Sequence, residues 1–360
     1  MTDSKYLIAL STFVQIGPVR TKLLLSYFKS AKNLWNASIK ELLETGLSKG
    51  LVDKFVKHRE SFDIDDYLAA LKSKSINAVT LFDSDYPGNL KEVDDKPYVL
   101  YVKGKLIRSD ARSVAIVGTR LMTSYGREVS RKLASELAGF GVTVVSGLAL
   151  GIDAESQRAA IAAGGRTIAV LASGLDIISP ATNKALALEF IKGSGAIISE
   201  YPLGHVPFRS DFAVRNRLIS GLSKAVVVIE GRMKSGTFYT VSAAASQNRP
   251  VFAVPGPITS PASEGPNYLI QNGAKLVSSA KEILDELHMQ FKVDTGAMEK
   301  VIPATQAEKR LIKCLDLEPM HLDELVRISG IPTPDVSARL TIMEMKGLVE
   351  SLGGGVYKKA

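Results

Sequence analysis

Between residues 113 and 247 the chain alternates short apolar runs with longer segments whose apolar positions recur every three or four residues. The runs are Ser113-Val114-Ala115-Ile116-Val117, Val142 to Val145, Thr167 to Leu171 and Ala225 to Glu230. Short β-branched runs of this kind mark strands buried on both faces of a parallel sheet. The periodic segments, Tyr125 to Phe140, Ala154 to Ala163, Asn183 to Ile191 and Phe238 to Gln247, read as helices. Strand and helix alternate, so the pattern predicts a doubly wound α/β domain.

Each predicted strand is followed by a turn carrying glycine: Gly118-Thr119-Arg120, Ser146 to Asp153, Ser173-Gly174 and Ser235-Gly236-Thr237. Ligands of open α/β sheets bind beyond the carboxyl ends of the strands, so these turns should converge. Glycine admits a ligand close to the backbone, and a helix start behind the turn supplies amide donors and roughly half a positive charge. The expected site is a rim for anions. Arg120 leaves the first strand there, with a guanidinium suited to bidentate phosphate contact. Ser146, Gly147 and Gly151 on one side, and Ser235, Gly236 and Thr237 on the other, offer backbone amides or close approach; tight strand-to-helix packing is the competing role of the glycines.

Arg215-Asn216-Arg217 lies between a helix-like segment and the next apolar run. Residues two apart cannot share one helix face, so only one arginine should point fully into the cleft, although both are expected to touch the ligand with Asn216 bridging. Lys184 and Lys234 flank the rim as point charges for phosphate. Phe208, in the loop before the motif, is placed to stack on a base, and Phe212 either stacks or packs in the core. Asp153 is expected to orient the 146–151 loop at a helix start. No paired acid and base stands in motif context, so no catalytic residue is assigned.

Outside this region the pattern changes. Residues 1–75 read as short helices interrupted at Ile16-Gly17-Pro18 and around Gly46 to Gly50, either a SAM or helix-hairpin-helix-like module facing DNA or a small helical packing domain. Residues 76–288 form the extended Rossmann-like domain, entered by an alternating edge strand at Val99 to Val102. A linker is expected at 289–304. From 305 to 360, three helices and a hairpin around Gly353-Gly354-Gly355 predict a winged helix. Its third helix carries few basic groups, which favours protein contact or a structural role over reading DNA sequence.

Composition adds a partner class. Of 360 residues, 45 are Lys or Arg and 37 Asp or Glu, a net charge of +8. Residues 109–280 hold 17 basic against 11 acidic side chains, so the surplus lies on the predicted rim and suits a polyanion. The one cysteine, Cys314, excludes an internal disulfide, the four histidines show no metal-ligand spacing, and no cofactor is expected. No apolar run approaches the roughly 20 residues that span a bilayer, so a cytoplasmic protein without membrane contact is expected.

The order of Ala115-Ile116-Val117-Gly118-Thr119-Arg120, Val145 to Asp153, Ser199-Glu200-Tyr201-Pro202, Arg215 to Ser223, Ser235-Gly236-Thr237, Val251 to Gly256 and Asn267 to Ile270 resembles the DNA-processing protein A (DprA/Smf) family. That resemblance implies sequence-independent binding of single-stranded DNA, a homodimer with Tyr268-Leu269-Ile270 as its candidate contact, loading of the RecA recombinase during natural transformation, and displacement of single-strand-binding protein. Ser179-Pro180, Ala213 and Pro266 depart from the family pattern. A second reading, a nucleotide-binding or nucleoside monophosphate-hydrolysing enzyme, meets Thr240 where such a family places its glutamate. Dinucleotide binding would require Gly-x-Gly-x-x-Gly after the first strand, and Gly118 to Thr123 lacks it.

Overall fold

The computed structural model describes residues 2–289, 305–316, 318–345 and 348–359. The chain divides into two compact units between residues 292 and 293. Among the described residues no helix is long and apolar enough to cross a membrane.

The first unit opens with six helices: α1 (Thr2–Ser11), α2 (Pro18–Phe28), α3 (Ala31–Asn36), α4 (Ile39–Glu44), α5 (Lys49–Ser61) and α6 (Ile64–Ser73). Their boundaries follow from local chemistry. Pro18 begins α2 where a missing N–H costs nothing, Ser38 and Glu41 form a reciprocal capping box on α4, and the Asp63 side chain caps α6. The strand β1 (Asn77–Thr80), the short α7 (Gly88–Lys91) and β2 (Val99–Gly104) lead into the α/β part. There β3 (Ser113–Val117), α8 (Ser124–Gly139), β4 (Thr143–Ser146), α9 (Ile152–Ala162), β5 (Thr167–Leu171), α10 (Lys184–Glu189), β6 (Gly195–Ser199), α11 (Arg209–Leu222), β7 (Val226–Val228), α12 (Thr237–Ser246), β8 (Val251–Ala253), α13 (Glu264–Gln271), β9 (Lys275–Leu276) and α14 (Ala280–Glu286) alternate.

The nine strands form one sheet in the order β1-β2-β6-β5-β4-β3-β7-β8-β9. From β6 to β9 all neighbours are parallel, whereas β1 and β2 pair antiparallel, β2 onto β6. The expected edge strand at Val99 to Val102 is therefore interior. All four of those residues are buried, and β1 takes the edge. A strand covered on both faces loses the polar alternation that an edge strand keeps.

Alternation within the strands instead sorts apolar side chains between two covered faces. Ala115, Val117, Val145, Ile168, Val170 and Val226 join Leu218 and Leu222 of α11 on one face. Val114, Ile116, Val144 and Val227 join Leu133 and Leu137 of α8 on the other. Farther along that second face Ala169, Leu171 and Ile197 share a cluster with Leu7, Leu34, Trp35 and Phe55, so the N-terminal helices and the sheet bury one continuous core.

The second unit contains α15 (Gln306–Cys314), β10 (Met320–His321), α16 (Leu322–Ser329), α17 (Thr333–Met345), β11 (Val349–Gly353) and β12 (Val356–Lys359). Thr305 and Glu308 cap α15 reciprocally, and Gly330 ends α16 in the left-handed conformation. Leu311, Leu325, Val336, Leu340 and Met343 form its core beneath the three-stranded β10-β12-β11 wing. This is a winged helix. The linker expected at 289–304 lies, after Met289, outside the described residues.

Pairing of β5 with β6 leaves no room at Gly195, where an added Cβ would sit 1.7 Å from the Thr167 carbonyl oxygen. Gly195→Ala should therefore lower stability by about 2–4 kcal/mol in denaturant melts, whereas Gly236→Ala, with nothing near its added methyl, should stay within about 1 kcal/mol.

Candidate nucleic-acid interface

Strand order reverses between β3 and β7: the chain runs outward from β3 through β4 and β5 to β6, then returns to β7 on the other side. A crevice forms where successive connections leave in opposite directions. The turn after β3 and the segment after β7 meet there, joined by a hydrogen bond from the Thr119 N–H to the Glu230 carbonyl at 2.7 Å. The β4 turn closes onto them. Gly151, with φ of +77°, packs so tightly that a Cβ would lie 2.3 Å from the Thr119 carbonyl oxygen. The convergence expected of the glycine turns is seen for the segments after β3, β4 and β7, where only Gly fits the contact at 151, while Gly174 packs against the segment after β6.

Arg120 is exposed at this crevice, its guanidinium 5.5 Å from the centre of the Phe212 ring. Phe212 is therefore half-buried beneath a cation rather than part of the core. Lys184 and Lys234 are exposed, and Lys234 holds a left-handed backbone with φ of 58°. Phe208 is 72% exposed and precedes α11, as a base-stacking ring would have to.

The two arginines of the central motif sit differently from the expectation that both reach the ligand. Arg215 is only 5% exposed: its Nη1 donates to the carbonyls of Gly147 at 2.9 Å and of Val170, at the carboxyl ends of β4 and β5. Burial pushes its guanidinium down to about 10, against the pull of Asp153, and Arg120 lowers it further. It remains protonated at neutral pH. Arg217 turns the opposite way, 9% exposed, with Nη2 on Glu200 and Nε 3.2 Å from Asp95. Spacing of two residues on a helix separated them, as sequence reasoning anticipated. Sequence reasoning missed the partners: Glu200 stood in a recognised motif, but its pairing across 17 residues has no local signature.

Asn216 bridges within the protein. Its Oδ1 accepts from Arg215 Nε at 3.1 Å, and its Nδ2 donates to the Gly236 carbonyl at 3.2 Å, tying α11 to the 235–237 turn. Ser146 is buried and donates to the Ile116 carbonyl at 2.6 Å, and the Gly147 N–H donates to Asp153 Oδ2 at 3.1 Å, so neither of these groups faces outward. Gly147 is needed for another reason: an added Cβ would lie 2.6 Å from the Arg215 guanidinium. Asp153 is buried, and burial raises its carboxyl above the ordinary value, opposed by Arg215 and by the Gly147 amide. It orients the loop from inside the helix rather than as its cap, since Gly151 holds that position.

Across the crevice Ser235 has a buried hydroxyl without a hydrogen-bond partner, Gly236 is exposed and Thr237 begins α12. The segment is anchored by Glu230, 1% exposed, which accepts from the Thr123 N–H at 2.9 Å and from its hydroxyl. Neither residue was singled out in the sequence, because a buried carboxylate reads locally like a surface one.

The family description DNA recombination-mediator protein A matches residues 77–288, and the DprA winged helix domain matches residues 297–355. The chain belongs to the DNA recombination-mediator protein A family. It is 33% identical to Protein Smf of Synechocystis over 99% of both chains, and 44% identical to DNA processing protein DprA of Bacillus subtilis over 61% of this chain and 74% of that one. The crystal structure of DprA from Streptococcus pneumoniae superposes with a TM-score of 0.68 at 33% identity, covering 78% of this chain and 97% of that one. A Helicobacter pylori DprA structure, reported for its single-stranded DNA binding mode, covers 60% of this chain and 97% of that one with a TM-score of 0.53 at 31% identity.

In this family member the crevice thus separates two kinds of cation. Arg217→Ala leaves Glu200 buried and uncompensated, so it should destabilise the fold by about 3–5 kcal/mol. Arg120→Ala should cost less than about 1 kcal/mol in the same melts.

Proposed function

We propose that this protein binds single-stranded DNA without sequence preference and loads a RecA-type recombinase onto it, displacing single-strand-binding protein in natural transformation. The observation that carries the first part is the exposed Arg120, stacked on Phe212 at the strand-order reversal. Family membership supports the second part. Lys184, Lys234 and Phe208 supply further phosphate and base contacts, and Arg215, Arg217 and Asn216 hold α11 in place behind them. The glycine-bearing turns at Ser146, Gly147, Gly151, Ser235, Gly236 and Thr237 shape the channel. Sequence tolerance follows, since phosphate charge and base stacking carry no base identity.

A binding rather than catalytic role is favoured by the occupation of the nearby carboxylates. Asp153 holds the Gly147 amide, Glu230 holds Thr123, and Glu200 holds Arg217. Thr240 is buried in α12 where a hydrolase would carry its acid. The domain plan we propose is 1–75, 76–288 and 305–360, acting in the cytoplasm as a homodimer. Its contact includes Tyr268 on α13, which is exposed beside Leu269 and Ile270, and exposed Leu276 on the terminal strand β9.

Two measurements check this. Titration of labelled single-stranded and duplex oligonucleotides over a range of salt should show tighter, salt-sensitive binding of the single strand. Arg120→Ala/Lys184→Ala/Lys234→Ala should weaken it uniformly across sequences and reduce the salt slope by about 2, at about 0.7 per phosphate contact. Equal affinity in that variant would refute the site. Sedimentation should find Tyr268→Glu/Leu276→Glu monomeric at concentrations where the parent protein is dimeric, and an unchanged mass would refute the contact.

A further inference from the structure

Two helices leave the rim side by side, α8 after the β3 turn and α9 after the β4 turn. Contacts between them fix their register: Arg131 Nε lies 2.5 Å from Glu155 Oε1, and one turn farther from the rim Ser135 Oγ reaches the Ala159 carbonyl at 3.5 Å. One turn nearer the rim, the same offset sets Arg127 opposite Gly151, which itself packs against the Arg120 backbone. Arginines 120, 127 and 131 therefore follow one another from the crevice along the α8–α9 seam, the last two about 6 Å apart along the helix axis.

Arg158 closes the row, its Nη1 donating to Glu155 Oε2 at 3.1 Å. Glu155 is 5% exposed, whereas the side chains of Arg131 and Arg158 are 61% and 55% exposed. One buried carboxylate thus holds two guanidiniums at the surface and neutralises only one of them. The terminal amino groups of Arg131, and Nε and Nη2 of Arg158, make no hydrogen bond among the described residues. Arg127 is exposed and has no ion pair among them. These two helices also carry Lys132, exposed, and four acids. Asp153 and Glu155 are buried and Glu136 accepts from the Ala280 N–H, which leaves Glu128 as the exposed acid.

We propose that the strand leaving the crevice continues along the α8–α9 seam, with its phosphates on Arg127, Arg131 and Arg158. The proposal rests on the single-stranded DNA reading given above and adds a second stretch of track to it. Guanidinium forks held in place by a shared carboxylate lose little freedom on binding, and their free donors match phosphate oxygens. Glu155 is then a positioning group for two arginines. An acidic protein surface would meet the same charges, but position favours the strand. The row starts at Arg120 in the crevice, so a chain already held there meets the next guanidinium at high effective concentration.

Strand length separates the two stretches. Arg127→Ala/Arg158→Ala keeps Glu155 paired with Arg131, so the fold should hold. Against a mixed-sequence strand of about 30 nucleotides this variant should lose affinity about tenfold and reduce the salt slope by about 1.4, at about 0.7 per phosphate contact. A strand of about 6 nucleotides, which fills the crevice alone, should bind it as it binds the parent. Lys105→Ala/Lys192→Ala removes the same charge at the opposite end of the sheet, where β2 ends and β6 begins, and should leave both affinities unchanged. Unchanged long-strand binding by the arginine variant, equal losses for both lengths, or an equal loss in the lysine variant would overturn the track while leaving the DNA-binding reading intact. Absence of binding to either strand by the parent protein would overturn both. Phenylglyoxal modification of the parent protein, read by mass spectrometry, gives a second readout. The long strand should protect Arg127 and Arg158 and the short one should not, and undiminished modification under the long strand would refute the proposal.

Discussion

The buried guanidinium of Arg215 is the contact on which the candidate interface depends. It carries a positive charge into the interior and places it against the Gly147 and Val170 carbonyls, at the ends of two adjacent strands. Carbonyl oxygens at strand ends have no ladder partner beyond the sheet, so the arginine satisfies acceptors that would otherwise be stranded. In return, Gly147 must lack a side chain, Asp153 must hold the loop, and Asn216 must link the same helix to the opposite turn. One buried cation therefore sets the spacing of three glycine-bearing segments.

Arg217 performs the complementary task on the next strand. Through Glu200 and Asp95 it joins α11 to the end of β6 and to the segment leading into β2. Buried ion pairs contribute little net stability, but they penalise any arrangement in which one partner is missing. Helix α11 is thus fixed in rotation, and the aromatic groups near its start, the exposed Phe208 and the half-buried Phe212, inherit that rotation. Arg120 stays exposed at the crevice, whereas the two buried cations are paired within the protein.

The basic surplus of the central region is consequently divided by burial. Arg215 and Arg217 are spent inside and the half-buried Arg166 is held by Asp110, while Arg120, Lys184 and Lys234 remain at the surface. Charge counted along the chain measures attraction for a polyanion in general. It does not say which side chains deliver it.

The sequence alone determined the α/β class, the strands Ser113–Val117 and Thr167–Leu171 to the residue, the winged helix, and the meeting of the glycine turns at one end of the sheet. Each of these rests on local periodicity or on residues whose conformational demands are intrinsic. Tertiary structure decided the rest. Val99 to Val102 became an interior strand because β1 covered its far side. The N-terminal helices merged their core with that of the sheet. Arg215 and Arg217, alike in sequence and two residues apart, became interior struts, because their carbonyl and carboxylate partners come from segments 17 to 122 residues away. No local pattern reports such partners, since burial and ion pairing are properties of neighbours in space.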